Sequence, residues 1–598
     1  MKLRKRAGAL AAALVLGISL VGCQTQPLTP QEEQARFDDF IQKDFVQSME
    51  SSYWSASQFL EHPENFGVDT NNTDTSAESY FGAVPTQESI REIEAQLRES
   101  QKELQSFHRD LLTQEQQDTY DIYQYQLELA KEANQSKFQG MEPFFSSMQG
   151  IHYNLNQLSS LITLRTEEDV KKLLELMESV PAYVDTVIAY TREQEKQGLM
   201  MIDFDTVIKD CKTVLEAGTN SSSLLDFQEK IASLNLEKEK TTQYQKQIKD
   251  AYATYLIPAY QTMVDALTEL KNGSNSSQGL SSLKNGKEYY ELIFQQKTGS
   301  ERSIEETKEL LENQFQDLVF QAQNLALKRP DLATLSLDKI KTKYTDYNSA
   351  MEDLLKKSKS YFPAIQDLTY EVRTLSPEQN NDGIAGFYVL PALDNTQDNQ
   401  IFINPNFAIS SMEMFELLTH EGVPGHMYQF NYIRENIENP WRNIVSFLGF
   451  TEGYAQYASY FSYRYLTDLD PDLTQWFQLN SELNFCLSAL ADIGIHYEGW
   501  TIEDLQQKLG LLGDMAEPVY QQIRSNPGAF LSYGVGLLEI QLLRDQAETA
   551  LGDQFQDKAF HEALLKSGSV PFFLAQQNIT EYIEQTLASE EASSQPAA

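Results

Sequence analysis

The chain is poor in several things. Of its 598 residues only three are cysteine, Cys23, Cys211 and Cys486, and only seven are histidine. So few cysteines build no disulfide scaffold, and none stands in a metal-ligand spacing. Cys211 and Cys486 lie far apart with nothing local to suggest a bridge, so two buried free thiols are expected. Basic residues are scarce, 47 against 87 acidic ones, for a formal net charge of -40. A surface of that sign repels phosphate backbones and anionic lipid, which argues against nucleic acid as a partner. After the first 23 residues no apolar run approaches the length of a membrane span. No fixed-period repeat is visible, so a solenoid of identical units is not expected. What is present, 41% apolar and 11% aromatic residues, is a globular composition.

The opening stretch, MKLRKRAGALAAALVLGISLVGC, has a basic start, then an apolar run of signal-peptide length. It ends in Leu20-Val21-Gly22-Cys23, which resembles the bacterial lipobox. The resemblance implies cleavage before Cys23, lipidation of its thiol and attachment to the outer side of a bacterial membrane through the acyl chains. Residues 1–22 are then a signal peptide and 23–35 a polar tether. Residues 588–598 (ASEEASSQPAA and its flank) read as a disordered tail.

Between these ends the pattern is mainly α. Stretches such as SIREIEAQLRESQKELQSF and SIEETKELLENQFQDLVFQAQNLAL place apolar residues three and four apart, so 36–365 reads as a helical region. Two short β-type runs follow, Gly386-Phe387-Tyr388-Val389-Leu390 and Gln400-Ile401-Phe402-Ile403, separated by turn-forming residues. Helices resume at about 411, and 366–587 is taken as one region.

The chemistry is concentrated in LLTHEGVPGHMYQF, residues 417–430. His420-Glu421 begins the H-E-x-x-H pattern of zinc peptidases, in which histidines at i and i+4 share one face of a helix and grip one metal ion. The glutamate beside the first histidine serves as the base for the water that the metal activates. Here Pro424 occupies the second histidine's place, and the next histidine is His426. On a straight helix His420 and His426 would stand about 120° apart around the axis and about 9 Å apart along it. Pro424 cannot donate to the His420 carbonyl, and Gly425 allows backbone angles that other residues avoid. The pair supplies a bulge that returns His426 toward the position normally held at i+4. A third ligand is expected at Glu452, in the helical and otherwise apolar FTEGYAQYASYFSYRY.

THEGVPGHMYQ, TEGYAQY, DIGIHYEGWT, PGAFLSYGVGLLEIQLLRDQAETALG and FHEALLKSGSVPFFL follow one another in this order. Together they resemble the bacterial family called domain of unknown function 885, whose members are often exported or lipid-anchored and are grouped with gluzincin-type metallopeptidases. The resemblance implies a large helical fold with a cleft, one Zn2+ held by His420, His426 and Glu452, and Glu421 as general base on a peptide substrate. The family's usual H-E-x-x-P-G-H-H-x-Q departs here at Met427, which leaves His426 as the ligand.

Other residues are read with alternatives open. His496 or Tyr533 would hold the developing oxyanion, or else be an ordinary core histidine and one more tyrosine. Asp492, four residues before His496, would orient its imidazole. Arg544 holds a substrate carboxylate or pairs with an acidic residue. His561 contacts substrate or packs between helices, and Tyr457 lines the cleft or the core. The expected function is zinc-dependent hydrolysis of exported or extracellular peptides. Hydrolysis of non-peptide amides or esters, and a non-catalytic peptide-binding surface lipoprotein, remain as alternatives.

Overall fold

The computed structural model describes residues 28–273, 278–335, 340–375, 385–404, 410–510 and 516–594. Cys23 and the signal sequence lie outside them. The architecture is mainly α, with one three-stranded sheet. No helix among the described residues is long and apolar enough to cross a membrane.

Local chemistry sets many helix starts. Thr29, Thr113, Thr166, Ser303 and Ser410 each accept a backbone N–H three residues on, and a polar side chain at that third position returns to the cap's own N–H. These capping boxes satisfy donors that a helix end otherwise leaves open. The first of them corrects an expected boundary. The helix Pro30–Glu50 begins inside the stretch read as tether, because Thr29, Pro30 and Glu32 together form a start signal. At the other end, the helix Phe572–Ser594 runs into the stretch read as a disordered tail.

The core does not divide at residue 365. Phe37, Ile41 and Phe45 of the first helix belong to the same apolar cluster as Phe415, Phe450, Tyr454 and Ile540. Trp441 Nε1 and Tyr123 Oη both donate to Asp44, at 3.0 and 2.7 Å, and fasten the start of the chain to its later half. A second cluster, built on Val170, Leu173, Val187, Phe227, Tyr260 and Met263, is confined to the earlier half. Cys211 and Cys486 are buried free thiols in separate clusters, and burial pushes each up to about 12.

The sheet contains the two expected strands and one more. Strand β1 (Tyr370–Thr374) runs parallel to β3 (Asn399–Ile403), and β2 (Gly386–Val389) is antiparallel to β3 on its other side. The order β1-β3-β2 leaves β2 at an edge. Ala385 accepts from Asn404 N at 2.8 Å, and Gly386 stands opposite Ile403. Alternation along an antiparallel pair then turns the backbone groups of Gly386 and Tyr388 outward.

Candidate metal centre and its cavity

The helix Ser411–Leu417 widens into one π-turn, Leu418–Gly422, which carries His420 and Glu421. The chain then leaves helical geometry. Val423 is extended, the Val423-Pro424 peptide is cis, and a new helix, His426–Asn436, starts at the second histidine. The expected bulge is thus a complete break between two helices, with Pro424 and Gly425 as the corner. Only glycine fits at 425, since a Cβ there would stand 1.8 Å from the His420 carbonyl oxygen. Gly422 is less confined, since its Cβ would meet the Met351 sulfur at 2.7 Å, the far end of a flexible side chain.

The corner brings the two imidazoles together at 4.9 Å between ring centres, nearly perpendicular at 87°. Glu452 reaches them from the helix Leu448–Ser462, its Oε2 standing 3.4 Å from His420 Nε2 and 3.3 Å from His426 Nε2. Two hydroxyls bond the π-turn to that helix, Thr419 Oγ1 and Ser459 Oγ at 2.8 Å. Glycines set the helix's other side. Cβ atoms on Gly449 and Gly453 would stand 2.0 Å from the Thr298 carbonyl oxygen and 2.3 Å from the Gly536 carbonyl carbon. The helix Leu531–Leu551, which carries Gly536, can therefore lie close enough to place Tyr533 over His420, with ring centres 6.2 Å apart and planes at 26°.

His420, His426 and Glu452 are grouped closely enough to hold one metal ion, their ligand atoms all lying within 4.8 Å of one another. The residues fit zinc well. Ligand atoms about 2.0–2.1 Å from one ion in tetrahedral array stand about 3.3–3.4 Å apart, the separation of Glu452 Oε2 from each imidazole nitrogen. Glu452 Oε2, moreover, is buried without a hydrogen bond among the described residues. Electrostatics agree with a cation site. Burial works against a charged His426, yet the adjacent Glu452 carboxylate lifts its imidazole to about 9. Burial would raise Glu452, but the two histidines outweigh it and hold the carboxyl well below the usual range.

Glu421 has a different setting. Its Oε2 accepts from Tyr388 N at 2.9 Å, so the outward side of β2 fixes its position. Burial raises its pKa. Tyr533 is raised well above its ordinary value by Glu452 and by burial, so its hydroxyl keeps its proton.

These groups share a cavity of about 790 Å3, the size of small-molecule and peptide sites. Its wall comes from both halves of the chain. Gln149, Tyr153 and Asn154 face it from the earlier half, and Phe387, Tyr388, Glu416 and Phe485 from the later one. Glu416 precedes His420 by one turn, a spacing that marks it as a neighbour on the same helical face. Burial lifts its carboxyl to about 7.

Several expected residues lie elsewhere. His496 is not among the residues lining the cavity. Its Nδ1 accepts from Leu280 N at 3.3 Å, its Nε2 lies 3.0 Å from the Ile523 carbonyl oxygen, and burial lowers it to about 4. It ties three segments together and has no nitrogen left for a substrate. Asp492 does not orient it, since its carboxylate accepts from Tyr290 Oη at 2.6 Å and Gly528 N at 3.0 Å. Tyr457, Arg544 and His561 bond to one another instead of facing the metal ligands. The Tyr457 hydroxyl lies 2.6 Å from Arg544 and 2.8 Å from His561 Nε2. Arg544 also pairs with Asp557 at 2.6 Å and Glu548 at 2.7 Å, and His561 Nδ1 lies 2.7 Å from the Tyr361 carbonyl oxygen. Tyr457 stands about 140° round its helix from Glu452. It and Arg544 border a second cavity, of about 750 Å3, that holds none of the three candidate ligands.

Comparison with known proteins meets this geometry at one point. Residues 75–579 match the family described as bacterial protein of unknown function (DUF885). The chain belongs to that family. No curated protein matches it. Among solved structures, a candidate lipoprotein of Colwellia psychrerythraea is similar over 93% of this chain and 99% of its own, at 19% identity and a TM-score of 0.74. A candidate lipoprotein of unknown function from Shewanella oneidensis is similar over 92% of this chain and 100% of its own, at 16% identity and a TM-score of 0.63. At these identities the likeness is one of fold.

Proposed function

We propose that this DUF885 protein is a zinc-dependent peptidase, attached to a membrane through lipid on Cys23. The observation that carries the reading is the placement of His420, His426 and Glu452 around one point, with Glu421 beside them and a peptide-sized cavity in front. Bound there, zinc polarises the scissile carbonyl and lowers the pKa of water.

The chain's own residues supply the rest. Glu421, fixed by the Tyr388 N–H and raised by burial, takes a proton from the attacking water and returns it to the departing amine. Tyr533, protonated and stacked on His420, donates to the oxyanion as it forms. Among the described residues the edge of β2 leaves the Gly386 N–H and carbonyl and the Tyr388 carbonyl for an extended peptide, which would add as a further strand, the Tyr388 N–H being held by Glu421. Phe387, Phe430 and Phe485 keep bulk water from the reacting bond. The lipid anchor is supported by the Leu20-Val21-Gly22-Cys23 stretch and by the lipoprotein descriptions of both structural relatives.

The test measures metal content and turnover together. Purified protein carries one zinc per chain and hydrolyses members of a peptide library, and Glu421→Gln keeps the zinc while losing the hydrolysis. Absence of stoichiometric metal, or unchanged hydrolysis in Glu421→Gln, refutes the reading.

A further inference from the structure

Histidines aside, the charged side chains of the cavity wall are acidic with one exception. Glu413, Glu416, Glu421 and Glu452 all border it, and Lys297 is the single lysine or arginine among its lining residues. A cation turned into a cavity of a chain with net charge -40 is a feature to explain. Among the described residues the Lys297 ammonium has neither an ion pair nor a hydrogen bond. Asp492 attracts it electrostatically, but that carboxyl accepts from Tyr290 Oη and from the Gly528 and Phe530 N–H groups. Burial lowers the Lys297 pKa, a cost that an incoming anion would relieve.

A second positive element lies beside it. The Lys297 Cγ would be 3.1 Å from a Cβ on Gly528, in the turn that leads into the helix Leu531–Leu551. That helix has no side-chain cap at its N-terminus, and Ser532 and Tyr533 of its first turn line the cavity. Open N–H groups and the helix dipole favour an anion at this end. The position relative to the metal ligands is set by Thr298, whose carbonyl is pressed against Gly449. Gly449 precedes Glu452 by one turn, about 4.5 Å along the axis. Lys297 and the three candidate ligands border the same cavity of about 790 Å3, so a chain end held by the first can lie across the others.

We propose that Lys297, with the first turn of the helix Leu531–Leu551, receives the free α-carboxylate of a peptide, so that the enzyme removes a short piece from the C-terminal end. The inference rests on the peptidase reading above and specifies its substrate. The reaction is hydrolysis. Water adds to a carbonyl near the C-terminus, the C–N bond breaks, and the proton taken from water leaves on the amine of the released C-terminal piece. A long internal loop is a poor substrate, since it brings no terminal carboxylate to Lys297.

The test uses pairs of peptides identical in sequence, one with a free C-terminal acid and one amidated. The full-length protein is expected to hydrolyse the acid with a kcat/KM at least tenfold above the amide, the difference lying mainly in KM. Lys297→Gln brings the two rates together, Lys297→Arg keeps them apart, and zinc content is unchanged in both. Calorimetry with Glu421→Gln provides a readout independent of turnover, and there too the acid binds more tightly than the amide. Equal hydrolysis of both forms, or predominance of internal cleavage, overturns the C-terminal assignment and leaves the peptidase reading standing. Preferential binding of the acid with no hydrolysis by the parent protein does the reverse. Binding of the acid to Glu421→Gln no tighter than that of the amide overturns the carboxylate site.

Discussion

Gly453 and Gly536 meet backbone to backbone, close enough that a Cβ on the first would lie 2.3 Å from the carbonyl carbon of the second. Glu452, next to Gly453, and Tyr533, one turn before Gly536, are positioned by the same contact. On the proposed peptidase reading, two groups that face one reacting carbonyl are thus fixed by the absence of side chains elsewhere. Gly453→Ala forces the helices apart. Its expected signature is a joint loss, with stability falling by about 2 kcal/mol or more and zinc affinity falling with it, read by chemical denaturation and metal titration.

Gly425→Ala tests the corner between the two histidines. The added methyl would overlap the His420 carbonyl oxygen, at 1.8 Å. The helix starting at His426 must then shift, and His426 leaves the other two ligands. Zinc affinity should drop at least tenfold, measured by competition with a chromogenic chelator. An alanine variant that binds zinc like the parent would show that the corner is not needed.

Zinc should stabilise the folded chain. A ligand that binds only the native state adds about 2.7 kcal/mol at a hundredfold excess over its dissociation constant. The melting temperature is expected to rise on adding zinc and to fall back with a chelator. Glu452→Gln, lacking the carboxylate that faces both imidazoles, should show little of this rise.

Tyr533→Phe separates binding from turnover. The ring still stacks on His420, but the hydroxyl proton is gone. Loss of one oxyanion donor costs about 10²–10³-fold in kcat, so a fall of that order is expected with zinc content intact. A variant with parental kcat would remove Tyr533 from the chemistry.

His561 gives a pH dependence of known sign. Burial holds its imidazole down to about 3, and the ring lies 4.0 Å from Phe362. In the unfolded chain the pKa returns to about 6.5. Between those values the unfolded chain binds a proton that the folded one excludes, so stability is full above about pH 6.5 and declines as the pH falls. His496, lowered to about 4, acts in the same direction. Denaturation of the parent and of His561→Gln at pH 7.5 and 5.5 should show a steeper loss in the parent, by about 1 kcal/mol.

The helical character, the β2 and β3 runs and the start of helices near 411 were legible because they depend on local periodicity and turn residues. Strand β1 was not, since Tyr-Glu-Val-Arg-Thr at 370–374 is a strand through its parallel pairing with β3. His420 and His426 stood out because Pro424-Gly425 explained their spacing, and Glu452 because it is a carboxylate in an otherwise apolar helical stretch. His496 misled because nothing local shows that Leu280 and Ile523 occupy its nitrogens. Lys297 was invisible for the opposite reason. In a helical pattern a lysine reads as a solvated residue, and only the fold turns this one into a cavity. Asp44 with Trp441, likewise, joins segments that composition placed in separate regions.

The cavity draws its ligand atoms from residues 420–452 and part of its opposite wall from 148–161. Distant stretches of the gene thus encode the candidate metal ligands and part of the wall they face. Substitutions in the early stretch would reshape what the cavity admits and leave the histidine corner untouched.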